Sequence, residues 1–410
     1  MIRLVTAVLA VCVLAAGLAR AQDGVRRGTV KKLDADKGTV TLTADGRDQE
    51  LTVTPATRAA DAAGRRLGSF PWKDLKEGQA VHFKADSRDG KTVLVGLKMA
   101  GAANREPPPK TDTSHLKPLT ELGAAEYHGF PGGLYPGGAN ERPAAHEAAG
   151  RQLAGEVRPL DADGRPSSDG KIVLLSIGMS NTNQVSQGFQ RLLAADRGHN
   201  PRLVFVNGSQ GGMTAAATQD PDDGRTGTRY WTTVDERLKA AGVTRAQVQA
   251  AWIKQADAGP TQGFPKYAET LRDELRQIAR AMHRRFPNLK MVYLSSRTYG
   301  GFARTGLNPE PYAFESGLSV KWLIEEQIKG SPELNYDPAK GPVQAPWLAW
   351  GPYLWANGPA KNPDGLSYEE SDFAADGTHP SPAGQRKVAG QLLTFFKTDP
   401  TAKSWFVRGK

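Results

Sequence analysis

From residue 171 onward, short apolar runs alternate with longer segments whose apolar residues recur every three or four positions. The short runs have the length and β-branched composition of buried strands, and the longer segments have the period of amphipathic helices. The predicted strands are Ile172–Leu175, Leu203–Val206, Val248–Ile253 and Met291–Leu294. Strands that alternate with helices form a parallel sheet with helices on both faces. We therefore predict an α/β domain over residues 171–410, with three layers in which helices cover both faces of a parallel sheet.

The helices of this domain are predicted from the same spacing. Their apolar positions are Val185, Phe189 and Leu192; Tyr267, Leu271, Leu275, Ile278, Met282 and Phe286; Val320, Leu323, Ile324 and Ile328; and Val388, Leu392 and Phe396. Ser381 followed by Pro382 predicts the N-cap of the last helix. Ligands of parallel sheets bind at the carboxyl ends of the strands, so functional residues should follow the strands directly.

Residues 22–100 show a different pattern of short β-favouring runs separated by turn clusters. The runs are Thr29–Leu33, Thr39–Thr43, Glu50–Val53, Ala80–Lys84 and Thr92–Met99, with hairpin turns at Asp45-Gly46 and Asp89-Gly90. Five short strands predict a small closed barrel of the OB or SH3 type. The pattern leaves two roles open, a spacer or adhesion module and a binder of oligonucleotides or oligosaccharides.

Residues 101–170 are rich in proline and glycine. The three consecutive prolines Pro107–Pro109 favour extended polyproline geometry, which predicts a semi-rigid linker. The segment from His128 to Arg151 shows no clear period, and we expect it to lie across the following domain as an entry strap.

Residues 1–21 have the features of an export signal. Arg3 precedes the apolar run Leu4–Leu18, and a small-x-small pattern ends at Ala21, where cleavage is predicted. A membrane anchor is the alternative, but the run is shorter than the ~20 residues that span a bilayer. The one cysteine of the chain, Cys12, lies in this segment. We therefore expect a secreted or periplasmic protein without disulfides, cysteine nucleophiles or thiolate metal sites.

The charge distribution bears on possible partners. The formal net charge is +10, but no block of lysine and arginine interleaved with aromatic residues is present. This pattern argues against nucleic-acid binding and favours a basic protein without a charged partner, with a mild attraction to acidic glycans or membranes as the alternative. The sequence has no second long apolar stretch, so integral membrane association is not predicted. The sequence gives no oligomeric state.

Three segments that follow predicted strands or precede the last helix carry candidate chemistry. Gly178-Met179-Ser180-Asn181 places a serine at the turn between a strand and a helix, where the helix N-terminus favours developing negative charge. Asn207 to Thr214 is glycine-rich, which allows close approach of backbone N–H groups. Asp376-Gly377-Thr378-His379 has the spacing that puts a carboxylate beside an imidazole. A serine N-cap and a plain turn are the structural alternatives for the first two segments.

The Asp-x-x-His segment could also be half of a metal site. The chain has seven histidines, and no His or Cys cluster elsewhere completes such a site. We therefore expect no metal and no organic cofactor.

Together, these segments resemble the SGNH/GDSL hydrolase superfamily, serine esterases on a flavodoxin-like sheet. The resemblance covers about Lys171 to Phe396 and implies that Ser180 is the nucleophile, His379 the general base and acid, and Asp376 its orienting carboxylate. It also implies that the N–H groups of Ser180 and Gly212 form part of an oxyanion hole.

The first segment departs from the usual Gly-Asp-Ser and is more similar to the Gly-Gln-Ser-Asn of sialate O-acetylesterases and related carbohydrate acetylesterases. The third block of the superfamily, Gly-x-Asn-Asp, is missing. Gln255-Ala256-Asp257 matches the Gln-Gly-Glu of the acetylesterases, which implies that Gln255 donates to the oxyanion. Asn181 and Asn207 are the alternatives for this donor.

Candidate substrate contacts are less specific. Trp350 and Trp355 lie in a Pro/Gly-rich segment, where aromatic rings could stack on sugars, although core packing is the commoner role. Arg297 follows the fourth strand and could bind a carboxylate or sugar hydroxyl, or be structural.

The function predicted from these features is an exported serine esterase that removes small acyl groups, acetyl foremost, from a carbohydrate. A lipase is a rival within this class, but no amphipathic lid is visible. A non-catalytic glycan-binding or adhesion protein with a degenerate esterase domain is the rival from another class, because the third block is missing.

Overall fold

The computed structural model describes residues 25–44, 47–60, 67–88, 91–99 and 111–409. The predicted export signal, the two Asp-Gly turns and the Pro107–Pro109 linker lie outside these ranges. The chain divides into two compact units, Met1–Arg105 and Glu106–Lys410, and each has its own hydrophobic core.

The first unit is a small closed barrel. Its strands are β1 (Arg26–Asp34), β2 (Thr39–Ala44), β3 (Arg47–Thr52), β4 (Arg58–Ala60), β5 (Ala80–Arg88) and β6 (Lys91–Met99). They follow the order β3-β2-β1-β5-β6-β4, and a pairing of β3 with β6 closes the barrel. The prediction of a barrel is thus confirmed. Only the three-residue strand β4 was not predicted, because it is too short to show a period.

The second unit contains a five-stranded parallel sheet, a two-stranded ribbon and nine helices within the described residues. The strands are β7 (Glu126–Tyr127), β8 (Phe130–Pro131), β9 (Ile172–Gly178), β10 (Leu203–Asn207), β11 (Val248–Lys254), β12 (Met291–Leu294) and β13 (Trp347–Trp350). The helices are α1 (Leu119–Leu122), α2 (Ala144–Glu156), α3 (Ser180–Ala195), α4 (Ala215–Thr218), α5 (Thr226–Ala240), α6 (Lys266–Arg285), α7 (Tyr312–Ile328), α8 (Pro382–Thr398) and α9 (Lys403–Phe406).

The large sheet has the order β10-β9-β11-β12-β13, and all its neighbouring strands are parallel. Numbered along the sheet-forming strands, this order is 2-1-3-4-5, the doubly wound order of flavodoxin-like sheets. The chain reverses direction across the sheet at β9, so the crevice beside its carboxyl end is where such sheets bind ligands. Ser180 follows β9 at this crevice.

The helices pack in two groups. Helix α3 packs on α8, and α2 contacts α9, whereas α6 packs on α4 and α7. The predicted cap of α8 is confirmed, since the Ser381 side chain accepts a hydrogen bond from the N–H of Gly384. In the described part of the chain, no helix combines the length and apolarity that crossing a bilayer requires.

Candidate active site

Ser180 is the first residue of α3 and follows β9 after a tight turn. A Cβ atom on Gly178 would lie 2.4 Å from the carbonyl oxygen of Lys254 and 2.5 Å from Oγ1 of Thr182. Only glycine fits at this position, because the turn presses against the end of β11. The early N–H groups of a helix have no intrahelical partner, so the N–H of Ser180 is available to a substrate oxygen.

Thr182 explains why the segment lacks the second glycine of a G-x-S-x-G elbow. Its Oγ1 donates a hydrogen bond of 2.6 Å to the carbonyl oxygen of Lys254, and the residue is fully buried. The hydroxyl thus ties the first turn of α3 to the neighbouring strand. In the sequence, this role of Thr182 was visible only as a departure from the G-x-S-x-G motif.

The side chains of Ser180, His379 and Asp376 form a continuous hydrogen-bonded relay. Oγ of Ser180 lies 2.7 Å from Nε2 of His379. Nδ1 of His379 lies 2.5 Å from Oδ2 of Asp376. This is the geometry in which an imidazole can take the serine proton while the carboxylate holds the ring and its tautomer.

The loop that carries Asp376 and His379 is shaped by its own backbone. Phe373 and Pro380 form a β-bridge, and the N–H of Ala374 donates to the carbonyl oxygen of His379 at 2.7 Å. Gly377 has a φ of +65°, which glycine adopts without strain, and a Cβ atom there would lie 1.7 Å from the carbonyl oxygen of Phe302.

Hydrogen bonds hold Asp376 in its ionised form. Burial alone would raise the pKa of Asp376, but the His379 side chain and the backbone N–H groups of His379 and Thr378 lower it to about 2. Those N–H groups donate to Oδ1 at 2.9 and 3.0 Å, and Oδ2 remains for the imidazole. The carboxylate is therefore charged at neutral pH and able to stabilise an imidazolium.

The relay is open to solvent. Ser180 is half-buried, and the side chains of His379 and Asp376 are 24% and 32% exposed. Gly211 and Gly212, on the adjoining loop, are exposed. A large acceptor could approach the serine from this side without a change in the fold.

The loop after β10 lies beside the serine. A Cβ atom on Gly211 would be 3.9 Å from Cβ of Ser180, and Gly212 has a φ of +75° with open space around it. The N–H of Gln210 donates to the carbonyl oxygen of Gly178 at 2.9 Å, which ties the loop to β9. Gly212 was the predicted oxyanion donor, but Gly211 lies near Ser180 as well. Because the two glycines are consecutive, the sequence does not indicate which of them supplies the oxyanion N–H.

Gln255 is not free to donate to an oxyanion, contrary to the implication of the resemblance. The residue is 3% exposed, and its Nε2 donates to the carbonyl oxygen of Met213 at 3.0 Å and to Oγ1 of Thr218 at 3.1 Å. Both amide hydrogens are therefore used inside the protein. Gln255 instead anchors the loop that carries Gly211 and Gly212.

Of the two alternative oxyanion donors, Asn207 is also hydrogen-bonded within the protein. Its Nδ2 donates to the carbonyl oxygen of Asn183 at 3.3 Å and to Oδ1 of the same residue at 2.7 Å. Asn181 differs, because Oδ1 has no hydrogen-bond partner and no hydrogen bond among the described residues uses its Nδ2. Asn181 is nevertheless 3% exposed and lines a small internal cavity with Val185 and Lys254, so its amide does not face the open surface beside Ser180.

We predict that Gln255→Met lowers kcat about tenfold with little change in KM. The substitution leaves the Met213 carbonyl and the Thr218 hydroxyl without their donor, so the adjoining glycine loop loses its anchor. Steady-state kinetics on an aryl ester and thermal unfolding would measure both effects. The loss of a buried donor also destabilises the fold by about 1–3 kcal/mol.

The matched control is Gln249→Met at the other end of β11. Gln249 is 1% exposed and exchanges two hydrogen bonds with the backbone of Arg158. This variant should lose similar stability and keep its kcat. An equal fall in kcat for both variants would contradict a positioning role for Gln255.

The structure places Arg297 in the interior rather than on a substrate surface. It is 2% exposed, and its Nε donates to Oδ1 of Asn308 at 3.0 Å. Burial lowers its pKa to about 10. The structural alternative for this arginine is therefore the correct one, because its post-strand position is covered by the loop that carries Asn308.

The two tryptophans are also core residues. Trp350 is 2% exposed and ends β13, where its Nε1 donates to the carbonyl oxygen of Leu134 at 2.6 Å. Trp355 is fully buried, and its Nε1 donates to Oε1 of Glu310 at 2.8 Å. Rings in these positions cannot stack on a sugar, so the prediction of substrate contact is wrong for both.

Among residues 25–44, 47–60, 67–88, 91–99 and 111–409, no group of three or more His, Cys, Asp or Glu side chains is arranged to hold a metal ion.

Comparisons with known proteins give similarity to solved structures only. No family model matches the chain, and no curated protein matches it. The first unit is similar to silver-bound CusF of Escherichia coli, with 19% identity over 19% of this chain and 90% of that one and a TM-score of 0.15.

The second unit is similar to two other solved structures. One is the lipase Lip_vut3 from a goat rumen metagenome, at 12% identity over 56% of this chain and 100% of that one, with a TM-score of 0.34. The other is the C-terminal catalytic domain of peptidoglycan O-acetyltransferase A of Streptococcus pneumoniae, at 13% identity over 58% and 99%, with a TM-score of 0.30. Similarities this low carry no argument about chemistry, which rests on the residues of this chain.

Proposed function

We propose that the second unit is a serine esterase that removes small acyl groups, acetyl foremost, from a carbohydrate. The observation that carries the proposal is the relay from Ser180 through His379 to Asp376, with distances of 2.7 and 2.5 Å. A serine hydroxyl needs an adjacent base to become a nucleophile, and a hydrogen-bonded imidazole with an orienting carboxylate supplies it.

The reaction follows from these positions. Nε2 of His379 takes the proton of Ser180 as Oγ attacks the ester carbonyl, and the C–O bond of the leaving alcohol breaks with return of that proton. Water then attacks the acyl-enzyme with His379 again as the base, the bond between the acyl carbon and Oγ of Ser180 breaks, and the proton returns to Oγ as the free acid leaves. Asp376 stays ionised throughout and stabilises the imidazolium.

The oxyanion of the tetrahedral intermediate is held by N–H groups. The N–H of Ser180 lies at the start of α3, where the helix dipole also favours negative charge. The exposed glycine pair at Gly211 and Gly212 supplies a second N–H. Donors fixed in this way need no rearrangement when the charge develops.

The substrate class is inferred from two features. The segment Gly178–Asn181 resembles that of carbohydrate acetylesterases, and the open surface around Ser180 suits a small acyl group on a large acceptor. We also infer export, from the predicted signal over residues 1–21. One observation favours the alternative, a non-catalytic binding protein. The Gln255 amide donates its hydrogen bonds inside the protein, so it is not free to bind an oxyanion.

Covalent labelling tests the proposal against this alternative. A serine-reactive phosphonate should add to one site, Ser180, and abolish the release of acetate from an acetylated polysaccharide such as acetylated xylan.

Absence of labelling in folded protein would support the non-catalytic alternative. Activity that persists after labelling, or is lost on chelation, would contradict the serine mechanism. Labelling of Ser180 without release from any acetylated glycan, but with cleavage of simple aryl esters, would overturn the substrate class alone.

A further inference from the structure

The outer surface of the barrel carries two adjacent rows of basic side chains. In the first row, Arg27 on β1 pairs with His82 on β5, which pairs with Lys98 on β6. The neighbours of these residues along each strand, such as Val81, Phe83 and Leu97, point into the core. Side chains alternate along a strand, so the three basic groups share the outer face, about 4.8 Å apart from strand to strand.

The second row lies two residues further along β5. Lys84 pairs with Gly96 on β6, which pairs with Arg58 on β4, and both basic side chains are exposed. Gly96 has no side chain, so nothing projects from the surface between the two cations of this row. We call Arg27, His82, Lys98, Lys84 and Arg58 the basic face.

The cations of the basic face are distinguished by their position in two adjacent rows on neighbouring strands; like Lys32, Arg47, Lys73 and Lys76, they form no ion pair among the described residues. Lys31 pairs with Asp48 and Lys37 with Asp34. Exposed cations without counter-charges create a positive potential that attracts polyanions.

The hydrogen bonding and the pKa of His82 reflect its position between two cations of the face. The Nε of Arg27 donates to Nε2 of His82 at 3.0 Å, which requires a neutral imidazole. Partial burial, followed by the charges of Arg27 and Lys98, lowers the pKa of His82. Its imidazole therefore lies where positive charge is already concentrated.

We propose that the basic face binds a carboxylate-bearing polysaccharide, which lies across β1, β5, β6 and β4 and neutralises the two rows of cations. The regular spacing of the rows suits a linear polymer with repeated charges. Single-stranded nucleic acid is a poorer fit, because such sites stack successive bases on several aromatic rings and none of the five residues of the face is Phe, Tyr or Trp. The proposal is independent of the esterase reaction.

The test measures binding of the full chain to polygalacturonate in 50 mM salt. The face variant combines Arg27→Gln, Arg58→Gln, Lys84→Gln and Lys98→Gln, and the control combines Lys32→Gln, Arg47→Gln, Lys73→Gln and Lys76→Gln. Both sets remove four positive charges from exposed positions of the same unit. We expect Kd to rise at least about tenfold for the face variant and less than about threefold for the control.

A second readout locates the bound polymer. Polygalacturonate should raise the pKa of His82, followed by NMR, because carboxylates offset the charges of Arg27 and Lys98. Ser180→Ala should bind as wild type does, which separates binding from catalysis.

Equal losses of affinity for polygalacturonate in the face and control variants would overturn the proposal, because they would show attraction by net charge alone. It would also fail if the pKa of His82 did not change, or if wild type did not bind. Tighter binding of polyphosphate, single-stranded DNA or phosphatidylserine vesicles than of polygalacturonate would assign the face to another class of partner.

Discussion

Replacement of Ser180 by alanine is expected to lower kcat/KM for a short-chain aryl ester by at least about 10⁴-fold. The substitution removes the atom that lies 2.7 Å from Nε2 of His379 and that would carry the acyl group. Ser180 is half-buried at the start of α3, so the loss of one hydroxyl should leave the melting temperature almost unchanged. Hydrolysis assays and thermal unfolding measure the two quantities separately.

Ser186→Ala is the matched control on the same helix. Ser186 is fully buried and donates to Oγ of Ser176 at 2.9 Å, away from the relay. This variant should lose stability and keep its activity. If Ser180→Ala retained more than a few per cent of a verified wild-type activity, Ser180 would not be the nucleophile.

Asp376→Asn should lower kcat by about 10⁴-fold, because an amide cannot hold the imidazole in the required tautomer or stabilise its positive charge. The effect on turnover should exceed the effect on KM, since Asp376 contacts His379 and not the substrate. Steady-state kinetics at neutral pH provide the measurement.

The same substitution should change how stability depends on pH. The pKa of Asp376 is lowered from an ordinary value of 3.8 to about 2, so its ionised form stabilises the fold. A lowered pKa contributes stability that is present above pH 3.8 and is lost as the pH falls through about 2. With partial exposure of the carboxylate, we expect Asp376→Asn to cost about 1–2 kcal/mol at neutral pH, and progressively less below pH about 4.

Asp223→Asn is the control that separates the effect of losing a carboxylate on stability from its effect on catalysis. Backbone N–H groups of Thr228, Gly227 and Arg225 lower the pKa of this exposed carboxylate, which precedes α5 and lies outside the relay. Urea unfolding between pH 2 and 7 should show pH-dependent destabilisation for both variants, with activity lost only for Asp376→Asn. A constant difference in unfolding free energy between wild type and Asp376→Asn over that range would contradict the lowered pKa.

The pattern of the sequence predicted most of the second unit because burial imposes a period on each element. Strands β9 to β12 are apolar on both faces, and α6 and α8 show one apolar stripe each. Strand β13 was missed, since its tryptophans stand between proline and glycine and resemble an aromatic loop. The helix α2 was also missed, because alanine and glycine dominate it and leave almost no apolar period.

The individual contacts of side chains were predicted less well. A position at the end of a strand is visible in the sequence, but the partner that a side chain finds there is not. Gln255 and Arg297 both follow strands as expected, yet loops that pack over them, with Met213 and Asn308, take up their hydrogen bonds. Long-range packing decides which post-strand side chains remain free.

The sequence by itself determined the pairing of Asp376 with His379, because a three-residue spacing on a glycine-containing loop brings the two side chains together locally. It also determined that Ser180 stands between a strand and a helix. Only the tertiary structure decided that Ser180 meets His379, which lies 199 positions further along the chain. That contact depends on the parallel order of the sheet and on the packing of α3 against α8, which bring the two loops to one edge.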